Sequence, residues 1–342
     1  MYIYCGKLIK NPISIHFLCG CKYDINSDKD KRNVVAEYID SKENNYSLIL
    51  EKQFTFRHYK KMDLNDLGEI ELFASQYAST IIILHETNST AAEIALFGSK
   101  NDLQNKILVI YPPKKLIEVN NIGTFLDKAY FATKKAKKVP YSNFNCTLND
   151  ENEHVRYYMT NFKKNTLDGC IKKIIDEHIE NNREEIDISL KRKYFNYNKN
   201  YYNINREKKR IFVYIDYQFI FSFVLAVISN NYFQKIIRDY ENCIANMCHI
   251  FQDVLVNTIC DKEKIGKNDY DKIRVKTIDK KDINKPIKFC INILIGLGLL
   301  SFSSGKIVFS RRISEELYEY ENIIQEKKEQ DFFETNSGDN NE

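Results

Sequence analysis

Residues 81–98 read Ile81-Ile82-Ile83-Leu84-His85-Glu86-Thr87-Asn88-Ser89-Thr90-Ala91-Ala92-Glu93-Ile94-Ala95-Leu96-Phe97-Gly98. The unbroken apolar run, rich in β-branched residues, predicts a strand buried on both faces. It opens into a polar loop, and a helix starts where small hydroxyl residues gather. Ser89 or Thr90 can cap that helix, whose first backbone N–H groups then face an anion. Glu93 sits just inside the first turn, where a carboxylate looks back toward the end of the strand. Ala91, Ala92 and Ala95 leave room beside it, and Gly98 stops the helix.

The same alternation fills the first 112 residues. Strands are predicted at 14–19, 46–51, 80–84 and 106–111, and helices at 31–39, 63–77 and 89–97. Strand and helix alternating at this spacing predict an α/β domain: a parallel sheet with helices on both faces. Such sheets bind ligands at the carboxyl ends of their strands. Gly20, Glu51 and the run 85–90 occupy those ends. His85 reads as a packed histidine.

Length and composition bound the rest. A chain of 342 residues suggests two domains or slightly more. Hydrophobic content of 43% supports a full core and excludes bulk disorder, while 11 glycines and 5 prolines exclude collagen-like or linker-dominated chains. Net charge is +4, from 51 basic and 47 acidic residues, so only local clusters argue for nucleic acid. The nine cysteines are scattered with no CxxC pair, and the first ten residues carry no signal-peptide pattern, so free thiols in a reducing cytoplasm are expected. No metal is expected, because the six histidines are dispersed and form no spaced ligand set. The apolar run 211–229 contains Asp216 and Gln218 and is expected to be a buried core helix, not a membrane span.

Beyond residue 150 the pattern changes. Residues 166–181 are helical, and 190–210 interleave cations with aromatics. Long helices are expected near 211–230 and 232–260. Asp282 caps a helix over 284–297, Gly298 ends it, and a hairpin turns at Ser304-Gly305. Helix then hairpin is how a winged helix ends. The expected organisation is a catalytic domain at 1–150, a helical region at 151–265, a winged-helix-like unit at 266–330 and a loose tail at 331–342.

From Thr90 to Glu93 the pattern resembles the nucleoside 2-deoxyribosyltransferase-like group, in which a strand, a small polar loop and a hydroxyl residue precede a Glu. More closely, the run from Phe17-Leu18-Cys19-Gly20 through Glu51, the Glu69–Glu71 segment and Glu86 to Glu93 resembles the effector proteins of bacterial retrons. Ser89 stands where the usual loop glycine would be. The resemblance implies a flavodoxin-like sheet followed by a helical part ending in a winged-helix-like unit. It also implies cleavage of an N-glycosidic bond, with NAD or a related nucleotide as substrate and no bound cofactor. Glu93 would be the catalytic carboxylate, stabilising or attacking the oxocarbenium-like centre. Gly20, Glu51, Glu71, Glu86, Asn88, Ser89 and Thr90 would surround the substrate. The implied partners are the retron reverse transcriptase and its RNA-linked multicopy single-stranded DNA. Cation clusters at Lys191, Arg192 and Lys193, at Lys208, Lys209 and Arg210, and at Lys306, Arg311 and Arg312 would meet phosphates. The presumed recognition helix offers only Lys285, Lys288 and Asn292. A competing reading is a non-catalytic nucleotide sensor that binds DNA. Hydrolysis against transfer, and a homo-oligomer against a higher assembly, stay open.

Overall fold

The computed structural model describes residues 2–3, 8–10, 13–20, 31–54, 66–85, 87–111, 136–140, 146–149, 155–158, 162–163, 166–183, 185–193, 199–266, 272–303, 306–310 and 324–325. The chain divides into two units, one of residues 10–185 with 289–300, the other of 1–9, 186–288 and 301–342.

The first unit is an α/β structure on five parallel strands: β1 (Ser14–Cys19), β2 (Asn45–Leu48), β3 (Thr80–Leu84), β4 (Ile107–Tyr111) and β5 (Lys137–Pro140). Their order across the sheet is β2-β1-β3-β4-β5. Order reverses between β1 and β3, so a crevice forms where their carboxyl ends part. Helices α1 (Lys31–Asp40), α2 (Leu50–Gln53), α3 (Leu67–Tyr77), α4 (Asn88–Gly98) and α5 (Gly169–Asn181) accompany the sheet. Because strand side chains alternate, Leu18, Ile82, Leu84, Leu108 and Ile110 share one face and pack with Val35 and Ile39 of α1 and Ile171 and Ile175 of α5. On the other face Phe17 meets Phe97 of α4 edge-on, with centroids 5.8 Å apart.

Two buried histidines pin this sheet. Asn45 donates its amide to the Glu43 carbonyl, so its Oδ1 accepts from His16 Nε2 at 2.8 Å, and His16 Nδ1 accepts from the Thr80 hydroxyl at 2.8 Å. That assignment ties β2, β1 and β3 through one neutral ring. His178 of α5 donates from Nε2 to the Lys106 carbonyl at 2.9 Å. Burial lowers both histidines to about 4.

Several local expectations are corrected. Glu51 does not end a strand; it lies on the short helix α2. Helix α3 starts at Leu67 under an Asp66 cap that accepts from Gly68 N–H. Helix α5 starts at Gly169 under Asp168, while Thr166–Leu167 pairs with Phe162–Lys163. Strand β5 was not anticipated. It lies at the sheet edge with Lys137 and Lys138 exposed, so it lacks the apolar run that marks a central strand.

The second unit holds a four-stranded sheet, β6 (Lys191–Arg192), β7 (Tyr201–Asn205), β8 (Arg210–Ile215) and β9 (Lys272–Thr277), in that order. The β7–β8 pair is antiparallel and the outer two pairs are parallel. Helices α6 (Tyr217–Ser229), α7 (Asn231–Ile236) and α8 (Tyr240–Glu263) follow. The expected helix at 211–230 is therefore wrong in its first part. Ile211, Val213 and Ile215 are buried at a period of two, and Asp216 then ends the strand and caps α6, accepting from Phe219 N–H at 2.6 Å. Helix α6 is almost wholly buried and, at 13 residues, runs about 20 Å, short of a bilayer core. By length and composition alone α8 is long and apolar enough to cross a membrane, and half of its apolar window is buried.

Helix α9 (Asn284–Gly296) contributes to both units, the division falling after Lys288. Asp282 Oδ1 accepts from Asn284 N–H at its start. At its end Gly298 adopts φ +68°, Gly298 N–H bonds the Ile295 carbonyl and Leu299 N–H bonds the Leu294 carbonyl, closing the helix as the glycine signalled. The hairpin β10 (Leu300–Ser303) and β11 (Lys306–Phe309) follows. In the first unit Phe289 packs against Phe73 and Tyr77 of α3 and against Phe54, with centroids 5.3, 6.1 and 5.9 Å away. Gly296 passes so close to Gln53 that a Cβ there would lie 3.0 Å from the Gln53 Cβ and 3.2 Å from its carbonyl oxygen.

Truncating Phe289 to Ala is expected to cost about 3–5 kcal/mol, read as a lowered urea midpoint. His16 gives a pH-linked test. Its folded pKa lies below the unfolded value of 6.5, so its contribution is full above that value and is lost as pH falls toward 4. The stability difference between wild type and His16→Gln is expected to shrink as pH drops from 7 to 4.5. A difference that stays constant would show that the ring is not held neutral.

Candidate functional site: a carboxylate cluster at the strand crossover

The crevice is assembled from five elements. Gly20 follows β1, and a Cβ there would lie 2.9 Å from both Cγ and Cδ of Arg32 and 3.4 Å from the Leu84 Cβ. The missing side chain is what lets the Arg32 stem cross the end of the strand. Arg32, on α1, is 2% exposed. Its Nη1 lies 3.4 Å from both carboxylate oxygens of Glu51, whose own side chain is exposed. Sequence reasoning missed Arg32, because it sits in the first turn of a helix read only for its apolar stripe.

Three glutamates cluster here, two of them, Glu51 and Glu93, interacting with this cation. Burial raises Glu93, on α4, to about 8, with Glu71 and then Glu51 adding repulsion and Arg32 opposing it. Burial also raises Glu71, on α3, to about 7, assisted by Glu51 and Asp66. Among the described residues Glu93 Oε2 is buried and has no hydrogen-bond partner. The Cys19 thiol is pushed well above its usual value by burial and by the same three carboxylates, so it is no thiolate nucleophile. At neutral pH the Glu71–Glu93 pair therefore retains a proton. Two carboxyls of unequal burial beside one cation can exchange that proton with a ligand.

The helix start differs from expectation. Thr87, not Ser89 or Thr90, is the N-cap, and Thr90 completes a capping box with it. The Thr90 hydroxyl donates to the Thr87 carbonyl at 2.6 Å and accepts from Thr87 N–H at 3.2 Å. It is fully buried, so it holds the loop instead of reaching for a ligand. His85 contacts the same hydroxyl through Nδ1 at 2.8 Å. With the hydroxyl proton spent on Thr87, the His85 proton is assigned to Nδ1. Asn88 and Ser89 are exposed in the first turn, at the positive end of the helix. Glu86 lies outside the described residues.

Gly20, Glu51, Glu71 and Glu93 are thus brought together, and Asn88 and Ser89 lie on the helix that carries Glu93. The cationic candidates belong elsewhere. Lys191, Arg192 and Lys193 are exposed on or beside edge strand β6, and Lys208, Lys209 and Arg210 are exposed at the β7–β8 turn. The two triplets stand at opposite ends of β7. Lys306 is exposed on β11, and Arg311 and Arg312 lie outside the described residues. The presumed recognition helix is α9. Asn292 is 3% exposed among buried apolar neighbours, so of the three polar residues expected to reach outward only Lys285, exposed, and Lys288, half-buried, do so, both near the helix start. Among the described residues no group of three or more His, Cys, Asp or Glu could hold a metal.

The raised carboxyl makes a testable demand on stability. Its folded pKa exceeds the unfolded value of 4.5, so its contribution is full below 4.5 and is lost as pH rises through about 8. Glu93→Gln is expected to melt higher than wild type, by a margin that widens from pH 5 to pH 8. A margin independent of pH would contradict the buried, proton-holding environment.

Comparison with curated proteins returns no match. Comparison with protein families matches the STM3845 retron effector protein over residues 28–301. The matched stretch includes Arg32, Glu51, Glu71 and Glu93 and reaches into both units. The chain belongs to the STM3845 retron effector family.

Proposed function

We propose that this effector, acting within a retron defence system, cleaves the N-glycosidic bond of NAD or a related nucleotide with Glu93 as the catalytic carboxylate. The observation that carries the reading is the buried Glu93 oxygen without a partner, beside Glu71 at the sheet's crossover point. The strand order β2-β1-β3-β4-β5 is that of flavodoxin-like sheets and supports the deoxyribosyltransferase-like reading.

Ligand charge supplies the activation. A ring nitrogen already cationic at the glycosidic bond, as in NAD, favours ionised Glu93 and releases the proton held by the Glu71–Glu93 pair. The C1′–N bond breaks and its electron pair leaves with the base. Positive charge then develops at C1′ and is stabilised by the carboxylate. A water oxygen bonds C1′ and gives its proton to a carboxylate, which completes hydrolysis. Arg32 holds Glu51 and limits repulsion in the cluster, while the α4 N-terminus at Asn88 and Ser89 suits a phosphate.

In the same proposal the effector is toxic, cytoplasmic, and restrained by the reverse transcriptase and its multicopy single-stranded DNA. The six described cysteines are unbridged, in keeping with a reducing compartment.

The test is nucleotide profiling by mass spectrometry in cells producing wild type or Glu93→Gln, with and without the reverse transcriptase and its DNA. Wild type alone is expected to deplete NAD and accumulate nicotinamide and ADP-ribose. The purified Glu93→Gln protein is expected to lose about 100-fold or more of the rate. Free bases from other nucleotides would keep the chemistry and change the substrate. Growth arrest with unchanged pools would overturn small-molecule hydrolysis.

A further inference from the structure

The second unit's sheet carries a face that the glycosidic chemistry does not use. Along β8, Ile211, Val213 and Ile215 are buried, so Phe212 and Tyr214 point to the opposite face, where both are partly exposed. Pairing extends this face across all four strands. Tyr201 stands opposite Tyr214, and Asn203 opposite Phe212. On the far side Lys276 flanks Tyr214 and Arg274 flanks Phe212. On the near edge Lys191 flanks Tyr201. One row therefore reads Lys191, Tyr201, Tyr214, Lys276. Its neighbour, two residues along, reads Asn203, Phe212, Arg274, with Lys193 at its near end.

Aromatic rings occupy the middle of both rows and cations their ends. The Tyr201 and Tyr214 rings stack at 4.9 Å and 25°. Lys193 Nζ lies 5.0 Å from the centre of the Tyr201 ring. Beside the second row, and away from the two tyrosines, a cavity of about 820 Å³ opens at the end of β7 over Asn203 and Phe212, with Arg192, Lys193 and Arg206 as its cations and Glu207 its acidic member. That volume suits a nucleotide-sized group. Successive rows are about 7 Å apart along a strand, comparable with one step of an extended polynucleotide.

We propose that this face of β6–β9 binds single-stranded nucleic acid, with bases stacked on Tyr201, Tyr214 and Phe212 and phosphates held by the flanking lysines and Arg274. Ring faces between cations match unpaired bases between phosphates. A duplex keeps its bases inside and presents only phosphates. The proposal is independent of Glu93, and the assay reads binding alone.

The experiment is fluorescence anisotropy of the full chain with labelled dT12, labelled rU12 and a 12-base-pair duplex, across a salt series. Both single strands, or one of them, are expected to bind at least 10-fold tighter than the duplex. A preference between dT12 and rU12 identifies the sugar recognised. Tyr201→Ala and Phe212→Ala are each expected to weaken binding about 10-fold. Tyr201→Phe keeps the ring and is expected to bind like wild type. Arg274→Gln and Lys276→Gln are each expected to lower the log–log salt slope by about 0.7. Lys100→Gln, in the other unit, is expected to change nothing. Four results would each overturn the proposal: equal affinity for duplex, equal competition by polyglutamate of matched charge, indifference to both Ala variants, or loss in Tyr201→Phe as large as in Tyr201→Ala.

Discussion

A guanidinium buried at the head of a parallel sheet is the constraint around which the first unit is organised. Arg32 is almost wholly removed from water, and an isolated buried cation is strongly unfavourable unless anions neutralise it. The sheet leaves the space for it at Gly20, separate helices bring Glu51 and Glu93 into its field, and Glu71 adds its charge to both of those carboxylates. Three carboxyls around one cation leave an excess of negative charge. Burial, with the repulsion among these carboxylates added to it, raises Glu71 to about 7 and Glu93 to about 8 and keeps Cys19 a thiol. Fold and reactivity are linked here, because burial that would only destabilise a structural glutamate gives Glu93 a proton it can exchange near neutral pH.

The supports of this cluster are apolar and distant in sequence. Helix α3 carries Glu71 and packs through Phe73 and Tyr77 onto Phe289, more than two hundred residues further along. Gly296 admits the same helix, α9, against Gln53, two residues after Glu51. Gln53 in turn caps its own turn by accepting from Ile49 N–H at 2.8 Å. A segment read as a recognition helix is thus a wall behind two of the three carboxylates. Its apolar face from Phe289 onward is what a packed wall requires, while its exposed Asn284 and Lys285 stand at the start of the helix.

The central strands were legible because runs such as Thr80–Leu84 are β-branched and bounded by polar residues, a pattern that needs no tertiary information. The α9 stop at Gly298 was legible for the same reason, since a left-handed residue after a helix is a local demand. The α4 cap lies two or three residues before the expected Ser89 or Thr90, because Thr87, Ser89 and Thr90 are equally good caps in isolation and only the burial of Thr90 against His85 selects Thr87. The apolar stretch 211–229 misled for a related reason. Periods of two and of 3.6 both look continuous when every residue is apolar, and the turn falls at Asp216, whose carboxylate stabilises a helix start better than a helix middle.

By itself, then, the sequence determined the parallel α/β character of the first unit, the place of Glu93 on the helix that follows a buried strand, and the helix-then-hairpin order near residue 300. These follow from local propensity, periodicity and caps, which act over a few residues. Tertiary structure alone decided that Arg32 joins Glu51, Glu71 and Glu93, that Lys137–Pro140 closes the sheet, and that Tyr201, Phe212 and Tyr214 share a face with Arg274 and Lys276. Those relations depend on which strands pair and which faces meet, and long-range packing fixes them where no short stretch of chain can encode them.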